Sequence, residues 1–187
     1  MASEVVLIRH GATEWSENGR HTGRTDIPLT DAGRDAAREL APRITTWKFS
    51  LVLVSPLQRA RETCDLVGLG AQAVVDDDLH EWDYGDYEGI TTKEIRETVP
   101  DWTIWSGPVP AGETPEQVAA RADRVIARAD AVDGDVALVA HGHILRVLGA
   151  RWCSLPPTDG ARLALDTSTL SVLAYERETK VIRRWNG

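Results

Sequence analysis

The sequence is short of cysteine, of long apolar runs and of positive charge, and each shortage removes a class of protein. Two cysteines, Cys64 and Cys153, are too few for a disulfide framework. They read as buried thiols in a reducing compartment, so a cytoplasmic location is expected. No apolar run approaches the ~20 residues that cross a bilayer, so no membrane partner is expected. Met1-Ala2-Ser3-Glu4 has no basic region leading into a long apolar stretch, which predicts no secretory signal. The formal net charge is −8. Such a surface repels nucleic acid, which excludes it as a natural partner. It also repels phosphorylated metabolites, so any phosphate chemistry needs a local basic pocket. Internal repeats and low-complexity tracts are absent. The acidic run Asp76-Asp77-Asp78 has poor spacing for metal ligands and reads as a solvated turn. Neither a metal nor a cofactor is expected.

What is present suits one domain over residues 1–187, with 42 % hydrophobic and 27 % charged residues. Residues 4–8 and 135–140 are continuous apolar runs, like strands buried on both faces. Leu51–Val54 and Gln72–Val75 read as shorter strands. Between the strands lie helical stretches. Thr30 is placed to cap one running to about Trp47, and Ser55-Pro56-Leu57-Gln58 carries a second start signal. Others are expected near 91–98, from Thr114 to about Asp130, and from about Gly142 to Cys153. Strand-like alternation returns near 161–166, 169–176 and 181–185. This order predicts an α/β three-layer sandwich, with a mostly parallel central sheet and helices on both faces. A loop of about twenty residues after the first strand, and another over 76–90, are long enough to be functional.

In such sheets ligands sit outside the carboxyl ends of the strands, and the reactive residue types fall there. Arg9-His10-Gly11 follows the first strand. A neutral imidazole is a capable nucleophile once one ring nitrogen is held, and an adjacent guanidinium matches two phosphate oxygens. Arg59 lies on the first turn of a helix after the second strand. His141, in Ala140-His141-Gly142-His143, repeats the layout of His10. Glu81 sits beside Trp82 and Tyr84, where one carboxyl can protonate a leaving group and then activate water. Taken singly, each has a plainer reading: a structural histidine, a surface pair of Arg59 with Glu62, a solvated loop carboxylate. Together they point to phosphoryl transfer.

The set resembles the histidine phosphatase superfamily, in its phosphoglycerate mutase-like branch. Five stretches carry the resemblance in order. They are Leu7-Ile8-Arg9-His10-Gly11-Ala12-Thr13-Glu14-Trp15, Gly23-Arg24-Thr25-Asp26-Ile27-Pro28-Leu29-Thr30-Asp31-Ala32-Gly33, and Ser55-Pro56-Leu57-Gln58-Arg59-Ala60-Arg61-Glu62-Thr63. The last two are Glu81-Trp82-Asp83-Tyr84-Gly85-Asp86-Tyr87-Glu88-Gly89 and Ala140-His141-Gly142. The resemblance implies a phosphoglycerate mutase-like fold and a phosphohistidine on His10. It implies a phosphate pocket of Arg9, Arg59 and His141, with Glu81 as proton donor. Substrate contacts are expected from Ser16, Thr22, Gly23, Tyr84 and His143, with a backbone amide of the Thr22-Gly23 loop reaching phosphate. Ser16 stands where many relatives carry asparagine.

The same phosphohistidine serves phosphatases and mutases. The short interval from Glu81 to His141 and the stretch from Trp82 to Ile95 resemble the sugar-phosphate and acid phosphatase members. A phosphomonoester hydrolase acting on a small phosphorylated metabolite is therefore expected, with a cofactor-dependent phosphoglycerate mutase as the alternative. A module that only senses phosphorylated ligands would not need Glu81. Trp102 and Trp105 suit either a substrate rim or packing under a loop. Arg121, Arg124 and Arg128 recur at helical spacing and read as a solvated face. Arg183 and Arg184 mark an edge strand, and whether a homodimer forms there is left open by the sequence.

Overall fold

The computed structural model describes residues 2–187; Met1, the first residue of the N-terminal stretch read above, lies outside the described residues. The first strand, β1 (Ala2–Arg9), is followed by the short helix α1 (Glu14–Asn18) and by α2 (Asp31–Ile44). Next come β2 (Phe49–Val54), α3 (Gln58–Leu66), β3 (Ala73–Val75), α4 (Thr92–Thr98) and α5 (Pro115–Asp130). The chain ends with β4 (Gly134–Ala140), α6 (Gly142–Trp152), β5 (Leu170–Glu176) and β6 (Thr179–Arg184). Among the described residues no helix is long and apolar enough to cross a membrane.

The six strands form one sheet in the order β3-β2-β4-β1-β5-β6. The pairings β3-β2, β2-β4 and β4-β1 are parallel, while β5 and β6 add to the sheet antiparallel. Both faces of β1 are covered, which is why it needs a continuous apolar run. Its side chains divide by alternation. Val5 and Leu7 join one cluster with Val118, Val125, Ile144 and Leu148 of α5 and α6. Val6 and Ile8 join the other, with Leu40, Ile44, Ala60 and Cys64 of α2 and α3. These are the three layers expected.

Several helix starts follow the sequence signals. Thr30 accepts from the Gly33 amide at 3.1 Å. Thr114 and Gln117 form a reciprocal capping box at the start of α5. The Ser55 signal is a correction. Helix α3 starts at Gln58 after Leu57, which gives no side-chain cap. Ser55 stands two residues before that cap position, too far upstream for its side chain to serve the first turn. Its hydroxyl lies 2.6 Å from Nε2 of His141 instead. Asp26, from another loop, accepts the Gln58 amide at 2.8 Å.

Three further expectations change. Residues 161–166 form no strand. Their backbone leaves a tight turn at Pro157–Arg162 and offers carbonyls to side chains, Ala161 to Arg146, Ala164 to Trp185 and Leu165 to Arg9. The acidic turn is ion-paired: buried Asp76 meets Arg128, and half-buried Asp78 meets Arg124. On α5, Arg124 and Arg128 keep to the solvated face as they pair with this turn, whereas Arg121 is buried. Trp102 is buried and donates to the Pro108 carbonyl at 2.8 Å, so it packs under its loop.

Candidate active site

Parallel pairing places Arg9 opposite Ala140, so β1 and β4 end side by side. The next residues, His10 and His141, bring their rings to 5.0 Å between centroids at 61°. The His10 amide donates to the Ala140 carbonyl at 3.0 Å, which ties the two turns together. Nδ1 of His10 lies 2.7 Å from the Gly11 carbonyl. A carbonyl can only accept, so Nδ1 carries the proton and Nε2 keeps a lone pair. Burial, then the charges of Arg59 and Arg9, hold the His10 pKa well below the usual imidazole value. The ring is neutral at pH 7. Gly11 is required by crowding, because a Cβ there would stand 2.4 Å from the Gly33 carbonyl oxygen.

His141 is fully buried, and both of its ring nitrogens are engaged. Nδ1 accepts from Nε of Arg59 at 3.1 Å, so Nε2 carries the proton facing Ser55. Burial is the largest cause of its depressed pKa, followed by Arg59. Arg59 is itself fully buried. Its remaining bonds run to the carbonyls of Thr25 at 2.9 Å, Thr22 at 3.1 Å and Gly23 at 3.0 Å. The surface pairing with Glu62 does not occur, since Glu62 binds Arg34 at 2.6 Å.

Arg9 donates through one terminal nitrogen to the Leu165 carbonyl. Its Nε is buried with no hydrogen-bond partner among the described residues. A guanidinium N–H left so is costly unless an anion meets it. Glu81, 4 % exposed, accepts three amides. Trp82 donates to Oε1 at 2.8 Å, Ile144 to Oε1 at 2.9 Å and His143 to Oε2 at 2.9 Å. The last two are free amides in the first turn of α6, where a carboxylate is favoured. Arg121 pins the same loop from behind, bonded to the carbonyls of Asp78 at 2.7 Å and His80 at 3.0 Å and paired with Glu113 at 2.8 Å.

These groups surround a cavity of about 190 Å³. Of the residues expected from the sequence, Arg9, His10, Ser16, Thr22, Glu81, Tyr84 and His143 line it. Arg59, His141 and Gly23 do not, and stand behind its wall. The Gly23 amide is taken by the Glu88 carboxylate at 2.9 Å. Ser16 has a local task as well: its hydroxyl accepts the Thr13 amide at 2.8 Å in the capping box that starts α1. Tyr84 and His143 form a pair, with the phenol 2.6 Å from Nδ1. Burial raises the Tyr84 pKa well above its ordinary value and lowers that of His143. Both are neutral, and the His143 tautomer sets which of the two donates. Among the described residues no group of three or more His, Cys, Asp or Glu side chains is arranged to hold a metal ion.

The family model of the histidine phosphatase superfamily (branch 1) matches residues 5–187. The chain belongs to the histidine phosphatase superfamily. This histidine phosphatase is 43 % identical over 177 residues to an acid phosphatase of Mycobacterium tuberculosis, covering 92 % of this chain and 86 % of that one. It is 36 % identical over 187 residues to sedoheptulose 1,7-bisphosphatase of Saccharomyces cerevisiae, covering 83 % and 69 % respectively. The solved structure of an open-reading-frame product of Mycobacterium tuberculosis superposes with a TM-score of 0.93 at 38 % identity, over 98 % of this chain and 97 % of that one. The phosphoglycerate mutase-like fold is therefore the fold of this histidine phosphatase.

Sequence reasoning missed six lining residues, Thr13, Gly19, Arg20, His21, Gly142 and Arg146. Arg146 was within reach, since it lies three residues after His143 on α6 and three apart share a helix face. It stacks 4.7 Å above Trp105, which also flanks His143, so Trp105 packs against two lining residues without lining the cavity itself. His21 had no such signal. Loop residues have no period, and its pKa of about 4 comes from burial that only the fold supplies.

Proposed function

We propose that this chain hydrolyses phosphate monoesters of small phosphorylated metabolites, sugar phosphates foremost, through a phosphohistidine on His10. The observation that carries the reading is the state of that ring. Its Nδ1 is tied to the Gly11 carbonyl, which leaves the Nε2 lone pair as the reactive position of a ring that lines the cavity together with Arg9. In the first step Nε2 attacks phosphorus and the ester P–O bond breaks. The departing alkoxide takes a proton from the Glu81 carboxyl. In the second step the Glu81 carboxylate takes a proton from water as the water oxygen attacks phosphorus. The P–N bond breaks, inorganic phosphate leaves, and His10 and Glu81 return to their starting states. Arg9 meets the phosphoryl oxygens directly. Arg59 and His141 back the nucleophile, and the charge of Arg59 favours the anion as it forms.

The names of the two relatives, an acid phosphatase and a sugar bisphosphatase, support hydrolysis over isomerisation. The proposed compartment is the cytoplasm, because both cysteines are unpaired, which suits reducing surroundings. The test is release of inorganic phosphate from p-nitrophenyl phosphate and a panel of sugar phosphates in EDTA. Full loss is expected in His10→Ala with the circular dichroism spectrum unchanged. A chain that instead isomerises 3-phosphoglycerate with a bisphosphate primer and frees little phosphate would be a mutase.

A further inference from the structure

The peptide unit joining Thr22 and Gly23 lies between two opposite charges. Its carbonyl accepts from Nη2 of Arg59 at 3.1 Å. Its N–H donates to the Glu88 carboxylate, at 2.9 Å from Oε1 and 3.0 Å from Oε2. Thr25 repeats the arrangement, with its amide on Glu88 at 3.0 Å and its carbonyl on Arg59 at 2.9 Å. The loop is thus a strip whose amides face Glu88 and whose carbonyls face Arg59. There is no slack in it. A Cβ at position 23 would stand 2.7 Å from Oε2 of Glu88 and 2.6 Å from the Trp82 carbonyl oxygen.

A buried guanidinium needs compensation, and among the described residues no carboxylate lies in salt-bridge contact with Arg59. Three peptide carbonyls meet it instead, all of them on peptide groups or residues whose amides Glu88 holds. Hydrogen bonds chained in this way polarise one another in a low dielectric. We propose that Glu88 is a positioning residue for the phosphatase reaction, fixing the Thr22–Thr25 carbonyls that aim Arg59 at His141. Glu88 does not line the cavity; it acts through the loop. The inference rests on the hydrolase reading given above.

A double-mutant cycle on the full chain tests it, with kcat and KM for p-nitrophenyl phosphate as readout. Glu88→Gln keeps the shape but removes the charge and one acceptor. Its kcat/KM is expected to fall about tenfold to a hundredfold, as small misplacements of catalytic groups do. Arg59→Lys is expected to fall as well, and the double variant to lie within about threefold of the worse single, because coupled sites are not additive. Losses that multiply, or Glu88→Gln at the wild-type rate, overturn the proposal. Should Glu88→Gln fail to fold, Glu88→Asp enters the same cycle with the same criteria. A wild-type chain that frees no phosphate removes the hydrolase reading, whereas an active wild type with a multiplicative cycle removes only Glu88.

Discussion

Nε of Arg59 donates to Nδ1 of His141 at 3.1 Å, and this one bond decides which His141 nitrogen carries the proton. The proton must sit on Nε2, where the Ser55 hydroxyl, 2.6 Å away, receives it. Ser55→Ala leaves that buried N–H without an acceptor. A loss of about 1–3 kcal/mol in urea unfolding is expected, together with a lower kcat. Unchanged stability and rate would mean the tautomer is the other one.

Glu81→Gln should cut turnover by about 10²–10⁴-fold, the range for a lost general acid and base. The fall should be larger for an alkyl phosphate than for p-nitrophenyl phosphate, whose leaving group needs little protonation. Equal losses on both substrates would deny Glu81 the proton-donor role.

Four histidines, His10, His21, His141 and His143, have folded pKa values below the unfolded value of 6.5. Below pH 6.5 the unfolded chain therefore binds more protons than the folded one. Stability must fall as the pH drops from 6.5, and for His21 the fall continues to about pH 4. Each such histidine contributes roughly 1.4 kcal/mol per pH unit across its window. Urea unfolding at pH 7, 6 and 5 measures the slope, and His21→Asn should reduce it by one proton. A flat profile between pH 7 and 5 would contradict the burial of these rings.

Arg121 is 10 % exposed and holds Glu113 together with the backbone before Glu81, whereas Arg124 is 58 % exposed on the same helix. Arg121→Met should destabilise the fold by about 3–5 kcal/mol, the cost of stranding a buried partner charge. Arg124→Ala should cost at most ~1 kcal/mol. Thermal and urea melts of the two variants compare them directly, and equal costs would refute the claim that Arg121 pins the acid loop.

The legible parts of this molecule are those whose cause is local. Val5–Ile8 and Val136–Ala140 announce doubly covered strands because both faces need apolar residues. The Thr30 and Thr114 starts are legible because a capping side chain and its amide lie three residues apart. Ser55 carried a similar local signal and was misread, because the partner that decides its conformation, His141, is 86 residues away. The acidic turn failed likewise. Asp76 and Asp78 look solvated until α5 brings Arg128 and Arg124 beside them. In the candidate site the residue types were legible from strand ends. Which of them face the cavity was not, since Arg59 turns toward loop carbonyls that no window around residue 59 contains.

The adjacency of β1 and β4 also bears on how the chain reaches its working form. The amide of Glu4 meets the Asp135 side chain across 131 residues, and the turns that carry His10 and His141 exist as neighbours only once that closure is made. Long-range parallel pairing is slow, because a large loop entropy is lost before any contact repays it. During refolding, helical circular dichroism should therefore return ahead of enzymatic rate, and an N-terminal fragment ending before residue 134 should be helical yet inert.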